Sequence, residues 1–162
     1  MATVYVGLGS NIDPEDNLHL GVRELRARYG ELQLSAVYRS KSVGFDGQDF
    51  LNLVASFETD SSPAAVCKEI EVIHTLAGRD RHDGKWASRS LDIDLLLYDD
   101  LVVDEKPVRI PRNDVLEYSF VLRPLAELAP ELRHPVTGRT MREHWQEFDA
   151  AGHPLEVVGV ML

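Results

Sequence analysis

The segment RSLDIDLLLYDD, Arg89 to Asp100, has the apolar content of a buried strand but carries two carboxylates inside it. Side chains alternate along a strand, so Asp92 and Asp94 share one face with Cα atoms roughly 6.5–7 Å apart. Ile93, Leu95 and Leu97 are expected on the other face, in the core. Two neighbouring carboxylates repel, and burial raises the pKa of at least one of them. A divalent cation relieves both problems. An all-oxygen donor set favours a hard ion such as Mg²⁺ over zinc. The bland alternative is that both aspartates lie on a solvated strand face, which is commonly polar.

The preceding stretch, GRDRHDGKWASRS, places Arg79, Arg81, Lys85 and Arg89 just upstream of the aspartates, with His82 among them. Asp80 and Asp83 offset part of that charge. The chain as a whole has a formal net charge of -10, so non-specific nucleic-acid binding is not expected. An anionic substrate would need local cations of this kind. Cations beside a metal-binding carboxylate pair are what phosphoryl transfer requires: Mg²⁺ bridges phosphate oxygens, and Arg and Lys offset developing charge. Taken singly, each basic residue reads as solvated surface charge.

Weaker signals lie elsewhere. Asn52 sits in an apolar run, either as a satisfied core amide or as a reader of a heterocycle's donor–acceptor edge. Trp86 and Phe120 are core candidates that could also stack on a flat ligand. His134 and His144 lack a spaced metal partner and read as structural. The single cysteine, Cys67, excludes an intramolecular disulfide, fits a reducing compartment, and lies in a helical pattern that suggests buried packing. No signal-peptide pattern and no apolar run near the ~18 residues of a membrane helix are seen, so a cytoplasmic protein without membrane partners is expected.

The elements that must position these residues follow from period and punctuation. Thr3 to Gly7 alternates as a strand, and GLGSN reads as a turn. Asp13 and Pro14 open a helix with a Leu18, Val22, Leu25, Tyr29 stripe, stopped by Gly30. Leu32 to Tyr38 is a second strand, followed by a long loop, Arg39 to Asp49. Phe50 to Glu58 is a third strand. Ser62 and Pro63 start a second helix with Ala65, Val66, Ile70, Ile73 and Leu76 on one stripe, ending near Gly78. Leu91 to Tyr98 is the fourth strand. A hairpin at 101–103 and 108–110, helices at 119–128 and 141–148, and an edge strand in the terminal VVGV complete the reading. The order gives an α+β sandwich, an antiparallel sheet with two helices on one face, in a single domain of residues 1–162. A doubly wound parallel sheet is disfavoured because no phosphate-loop signature follows either Gly-rich turn.

Several motifs occur together and in order: the opening Y-V-G-L-G-S-N, F-L-N in the third strand, G-R-x-R and a tryptophan before R-x-L-D-x-D, and F-V-L-x-P-L-x-E-L-A-P at Phe120 to Pro130. From about Val4 to Pro135 the chain resembles the 6-hydroxymethyl-7,8-dihydropterin pyrophosphokinases of folate biosynthesis. The resemblance implies a ferredoxin-like α+β fold with a C-terminal helical and loop extension. It implies transfer of pyrophosphate from ATP to the hydroxymethyl group of the pterin, with release of AMP. By position, Asp92 and Asp94 would hold two Mg²⁺ ions, and Arg79 and Arg89 would assist transfer. Val43, Gly44, Phe50, Asn52, Trp86 and Phe120 would form the pterin site, with Asn52 reading the amide edge and Phe120 stacking. Arg81 and Lys85 would touch phosphate, and a monomer is implied.

Three positions on the expected ATP side depart from the family's usual residues: His74 replaces glutamate, Arg112 replaces histidine and Tyr118 replaces arginine. The run after Gly44 is also altered. These changes motivate an alternative, a divergent paralogue that binds pterin or nucleotide with little or no catalysis. A different phosphotransferase on the same scaffold is a third reading.

Overall fold

The computed structural model describes residues 1–40, 49–78 and 91–162. The readings placed on Val43, Gly44, Arg79, Arg81, Lys85, Trp86 and Arg89 lie outside these residues. The chain runs β1 (Ala2–Ser10), α1 (Pro14–Tyr29), β2 (Gln33–Leu34), β3 (Val37–Ser40), β4 (Phe50–Thr59), α2 (Pro63–Leu76) and β5 (Asp92–Tyr98). A hairpin of β6 (Val103–Glu105) and β7 (Val108–Ile110) follows. Then come α3 (Asp114–Glu117), α4 (Ser119–Leu128), α5 (Met141–Glu147) and β8 (Glu156–Val158). The main sheet has the order β5-β1-β4-β3-β8, with β2 also on β4, and its pairings are antiparallel. This is the expected α+β arrangement, and β8 is the expected edge strand. Among the described residues, no helix is long and apolar enough to cross a membrane.

Two cores form because each face of the sheet is covered. Val4, Val6 and Leu8 of β1 pack with Leu18, Val22 and Leu25 of α1 and with Val66, Ile70 and Ile73 of α2. The helices present these residues at three- and four-residue spacing, which puts them on one stripe. Ser62 caps α2 by accepting from the Ala65 N–H, with Pro63 at the first helical position. Leu76, read as part of the same stripe, is instead exposed. The opposite sheet face carries Val54, Leu96 and Leu97 beneath Val115, Val121, Leu122 and Leu125.

Four local expectations are corrected. GLGSN is not a turn: β1 continues through Ser10, and its glycines serve close packing within the sheet rather than a reversal. The second strand is split, because one extra residue enters between the Leu34–Ala55 and Tyr38–Asn52 pairs. Ser35 fills that bulge and exchanges hydrogen bonds with the backbone of Val54. Asp13 stands at the start of α1 in a left-handed conformation, φ 42°, and its side chain makes no cap. Leu97 does not share a face with Ile93 and Leu95: the β1–β5 register shifts between Tyr5 and Val6, so Leu95 faces Val6 while Leu97 faces Tyr5. This bulge turns Leu97 into the second core and Tyr98 toward the first. There the Tyr98 hydroxyl donates to the Ser61 carbonyl at 2.6 Å.

Truncating Leu97 to Ala is expected to lower unfolding free energy by about 3 kcal/mol, as for a fully buried leucine. In hydrogen exchange, the loss of protection should fall on α4. Protection lost in α1 or α2 instead would contradict the bulge.

Candidate functional site

The site grows from the register of the three central strands. Gly9 of β1 lies opposite Asn52 of β4 and opposite Asp92 of β5. Two residues earlier, Gly7 lies between Val54 and Asp94. Directly paired residues share a sheet face, so Asn52, Gly9, Gly7, Asp92 and Asp94 form one contiguous surface. It is the same face that α4 covers further along, over Tyr5, Val54 and Leu96. The two glycines leave a backbone floor between the amide and the carboxylates. A Cβ on Gly9 would meet Asn52 Oδ1 at 2.7 Å, closer than real contacts allow.

Asn52 is only 6% exposed. Its Nδ2 donates to Ser40 Oγ at 2.9 Å, which fixes the carboxamide and leaves its second N–H for another acceptor. Phe50 lies two residues earlier on the same face of β4, opposite Ser40. Phe120 opens α4 and is half-buried against the second core. Its ring stacks on Tyr118, with centroids 5.0 Å apart and planes 20° apart. The sequence separates these two rings between the pterin and ATP sides, but they sit together. The position of α4 over the sheet is held at its other end. Glu127 accepts from the Ala36 N–H at 2.9 Å and from the Tyr38 hydroxyl. Burial first, and then Glu127, push the Tyr38 phenol up to about 12.

Asp92 and Asp94 are partly exposed, their side chains at 36% and 31%. Behind them, β5 is the edge of the sheet, and two groups close that edge. The Ile93 N–H donates to His74 Nε2 at 2.9 Å, and the Leu96 carbonyl accepts from the Arg112 N–H at 3.0 Å. His74 is thus 3% exposed and placed in the wall behind Asp92. Its Nε2, 4.0 Å from Asp92 Oδ1, is an acceptor. The ring hydrogen therefore lies on Nδ1, which faces Glu71 Oε1 at 3.2 Å.

Arg112 stands in front of the carboxylates. Its Nη2 is 3.6 Å from Asp94 Oδ1, and its Nε is 3.2 Å from Asp114 Oδ2. Burial favours deprotonation of this guanidinium, but Asp94, Asp114 and Asp92 together outweigh it and raise its pKa. Arg112 also lines a cleft of about 670 Å³ between α2, β5 and the hairpin. Lys68, Lys106 and Arg109 add three more cations, and Glu71, Cys67 and Asp94 complete its polar wall. Cys67, expected in the core, is half-buried here, and burial pushes its thiol pKa up.

The carboxylate pair fits a hard divalent ion. Among the described residues, no group of three or more His, Cys, Asp or Glu could hold a metal. Two carboxylates alone leave most of an octahedral shell for water and substrate oxygens, which is how Mg²⁺ is usually bound beside phosphates.

Residues 5–130 match the family model for 7,8-dihydro-6-hydroxymethylpterin-pyrophosphokinase. The chain belongs to this family. Proteins named 2-amino-4-hydroxy-6-hydroxymethyldihydropteridine pyrophosphokinase are similar along most of its length. The one from Aquifex aeolicus is 35% identical over 145 residues, 88% of this chain and 90% of the relative. The one from Pseudomonas aeruginosa is 36% identical over 145 residues, covering 86% and 88%. Among solved structures, a Plasmodium falciparum HPPK-DHPS wild type superposes with a TM-score of 0.73 at 14% identity. That match covers 91% of this chain and 43% of the Plasmodium chain, so this chain spans less than half of that protein. At that identity the likeness is one of fold, and it agrees with the ferredoxin-like expectation.

Of the pyrophosphokinase-family positions, the structure brings together Asp92, Asp94, His74 and Arg112 at the sheet edge. Asn52 and Phe50 stand two strands away, with Phe120 and Tyr118 at the start of α4. The sequence reading missed Gly9, Ser40, Glu71, Lys68, Lys106 and Arg109. Only Gly9 carried a local signal, as an isolated glycine in a strand pattern; the others reach the site through partners distant in the chain. Substituting Gly9 with Ala should displace the Asn52 carboxamide. The check is the Asn52 side-chain amide pair in ¹⁵N NMR, which is expected to shift and exchange faster, with a stability loss of about 1–3 kcal/mol. An unmoved amide pair would contradict the contact.

Proposed function

We propose that this chain transfers the terminal pyrophosphate of ATP to the hydroxymethyl group of 6-hydroxymethyl-7,8-dihydropterin, as a step of folate biosynthesis. The observation that carries the site assignment is the row Asn52–Gly9–Asp92: one strand separates a fixed amide from a carboxylate pair. The relatives named as pyrophosphokinases support the reaction, and the chemistry of the donors supports Mg²⁺.

The pterin lies on the glycine floor. Asn52 offers its remaining N–H to the ring's amide edge, and Phe120, with Phe50, bounds the flat ring. The triphosphate enters from the cationic cleft, where Arg112, Lys68, Lys106 and Arg109 offset its charge. Asp92 and Asp94 would hold Mg²⁺. When bound, the metal neutralises phosphate oxygens and so favours attack at phosphorus. The pterin hydroxyl oxygen forms a bond to the β-phosphorus, the bridge between the α- and β-phosphorus atoms breaks, AMP departs, and the hydroxyl proton leaves to solvent. Arg79 and Arg89 assist this transfer, and Arg81 and Lys85 contact phosphate. Val43, Gly44 and Trp86, outside the described residues, are assigned to pterin binding by the family resemblance. Tyr118 supports Phe120. His74 acts from behind, by holding β5 and therefore Asp92, so its contribution to nucleotide binding is indirect.

Incubation with ATP, Mg²⁺ and 6-hydroxymethyl-7,8-dihydropterin should yield AMP and the pterin diphosphate in equal amounts, and EDTA should stop the reaction. Asp92→Ala and Asp94→Ala should each lower kcat about a thousand-fold while circular dichroism stays unchanged, since they remove charge stabilisation from the transition state. Absence of AMP at high enzyme concentration would defeat the assignment.

A further inference from the structure

The contact between Arg112 and Asp94 joins two groups that the proposed reaction needs for different partners. Asp94 is a proposed metal ligand, and Arg112 lines the cleft assigned to the triphosphate. The contact is long for an ion pair, at 3.6 Å. Arg112 Nε is buried, and although Asp114 Oδ2 is 3.2 Å away, it makes no hydrogen bond there. The guanidinium thus sits among three carboxylates without satisfying all of its donors. Its backbone is pinned, because the N–H is bonded to the Leu96 carbonyl. Any adjustment is therefore confined to the side chain.

We propose that Arg112 is an exchangeable counter-ion: it holds Asp94 in the substrate-free enzyme and releases it to the divalent cation when a nucleoside triphosphate enters, moving its guanidinium onto phosphate oxygens. This deepens the functional reading above and rests on it. The physical basis is that two cations compete for one carboxylate. The metal has the higher charge, so it displaces the guanidinium once phosphates can take the guanidinium instead. A planar fork matches phosphate oxygens in pairs and fills the unsatisfied Nε donor. The arrangement makes metal binding and nucleotide binding mutually reinforcing. Without nucleotide, the metal must displace Arg112 into a site that still holds Asp114 but offers no phosphate.

Two measurements test this. The first is a crystal structure with Mn²⁺ and α,β-methylene-ATP, whose methylene bridge blocks the bond that would break. Mn²⁺ is expected on Asp94, with Arg112 hydrogen-bonded to phosphate and no longer in contact with Asp94. Arg112 remaining on Asp94, with metal and nucleotide both bound, would overturn the exchange and leave the pyrophosphokinase reading standing. Metal and nucleotide bound away from the aspartates and the cleft would overturn both. The second measurement is Mn²⁺ binding followed by electron paramagnetic resonance. Arg112→Gln should bind Mn²⁺ alone about three-fold more tightly, and should bind Mn²⁺ with α,β-methylene-ATP about ten-fold or more weakly. Arg112→Lys keeps the competing charge but loses the fork, so it should bind Mn²⁺ alone close to wild type and Mn²⁺ with α,β-methylene-ATP more weakly than wild type. Wild-type affinity of Arg112→Lys for Mn²⁺ with α,β-methylene-ATP would reduce the effect to net charge and overturn the contact mechanism.

Discussion

The antiparallel register of β4, β1 and β5 is the constraint on which the site depends. It places Asn52 and Asp92 on opposite sides of Gly9, so the distance between the amide and the carboxylates is set by backbone hydrogen bonding, not by flexible side chains. Strands in a sheet are about 4.8 Å apart, so two strand spacings, roughly 10 Å, separate the amide from the first carboxylate. A flat bicyclic ring with one substituent spans such a gap. A slip of one residue would turn these groups to the face packed by α1 and α2. The two cores guard against that slip, because Val4, Val6 and Leu8 on one face and Tyr5 on the other are fixed by different helices.

The free edge of β5 explains why the remaining groups converge there. An edge strand presents unpaired N–H and C=O groups, and a buried one must have partners. Ile93 finds His74 from α2, and Leu96 finds the backbone of Arg112 from the segment after the hairpin. Each repair brings a side chain or its neighbour to the carboxylates: Glu71 one helical turn before His74, and the guanidinium of Arg112 itself. The need to satisfy a sheet edge and the need to surround two aspartates with counter-charges are met by the same residues. An acidic chain thereby builds a local cationic cleft. Lys106, Arg109 and Arg112 come from one short stretch at three-residue spacing, and Lys68 joins them from α2.

Much of this was legible before the fold. The i, i+2 aspartates, the two helical stripes and the capping Ser62–Pro63 pair depend on local period, and local period is what a sequence displays. The strand misreadings share one cause. Leu97 was assigned by strict alternation, but a bulge between Leu95 and Leu97 breaks it. The bulge answers to the partner strand, where Tyr5 and Val6 must also find their faces. The second strand was read as continuous because the extra residue at Ser35–Ala36 is visible only against β4. Glycines at 7 and 9 resemble turn punctuation in one dimension, and their use as a floor appears only when Asn52 is beside them. The pairings of His74 with Ile93 and of Arg112 with Asp94 span 19 and 18 residues of chain, and no spacing rule reaches them.

The exposure of the aspartates follows from the same geometry. Two carboxylates on one strand face would be costly if buried, because each loses hydration while repelling the other. Leaving them about one-third exposed keeps part of that hydration, and Arg112 supplies charge compensation on the cleft side. The cost is therefore low enough for the protein to tolerate the pair. Bulkier cover over this part of the sheet would have solved the electrostatic problem by exclusion and closed the floor. Among the described residues, the glycines at 7 and 9 and the start of α4 beyond them leave the floor uncovered, and the two flanking cores carry the packing around it.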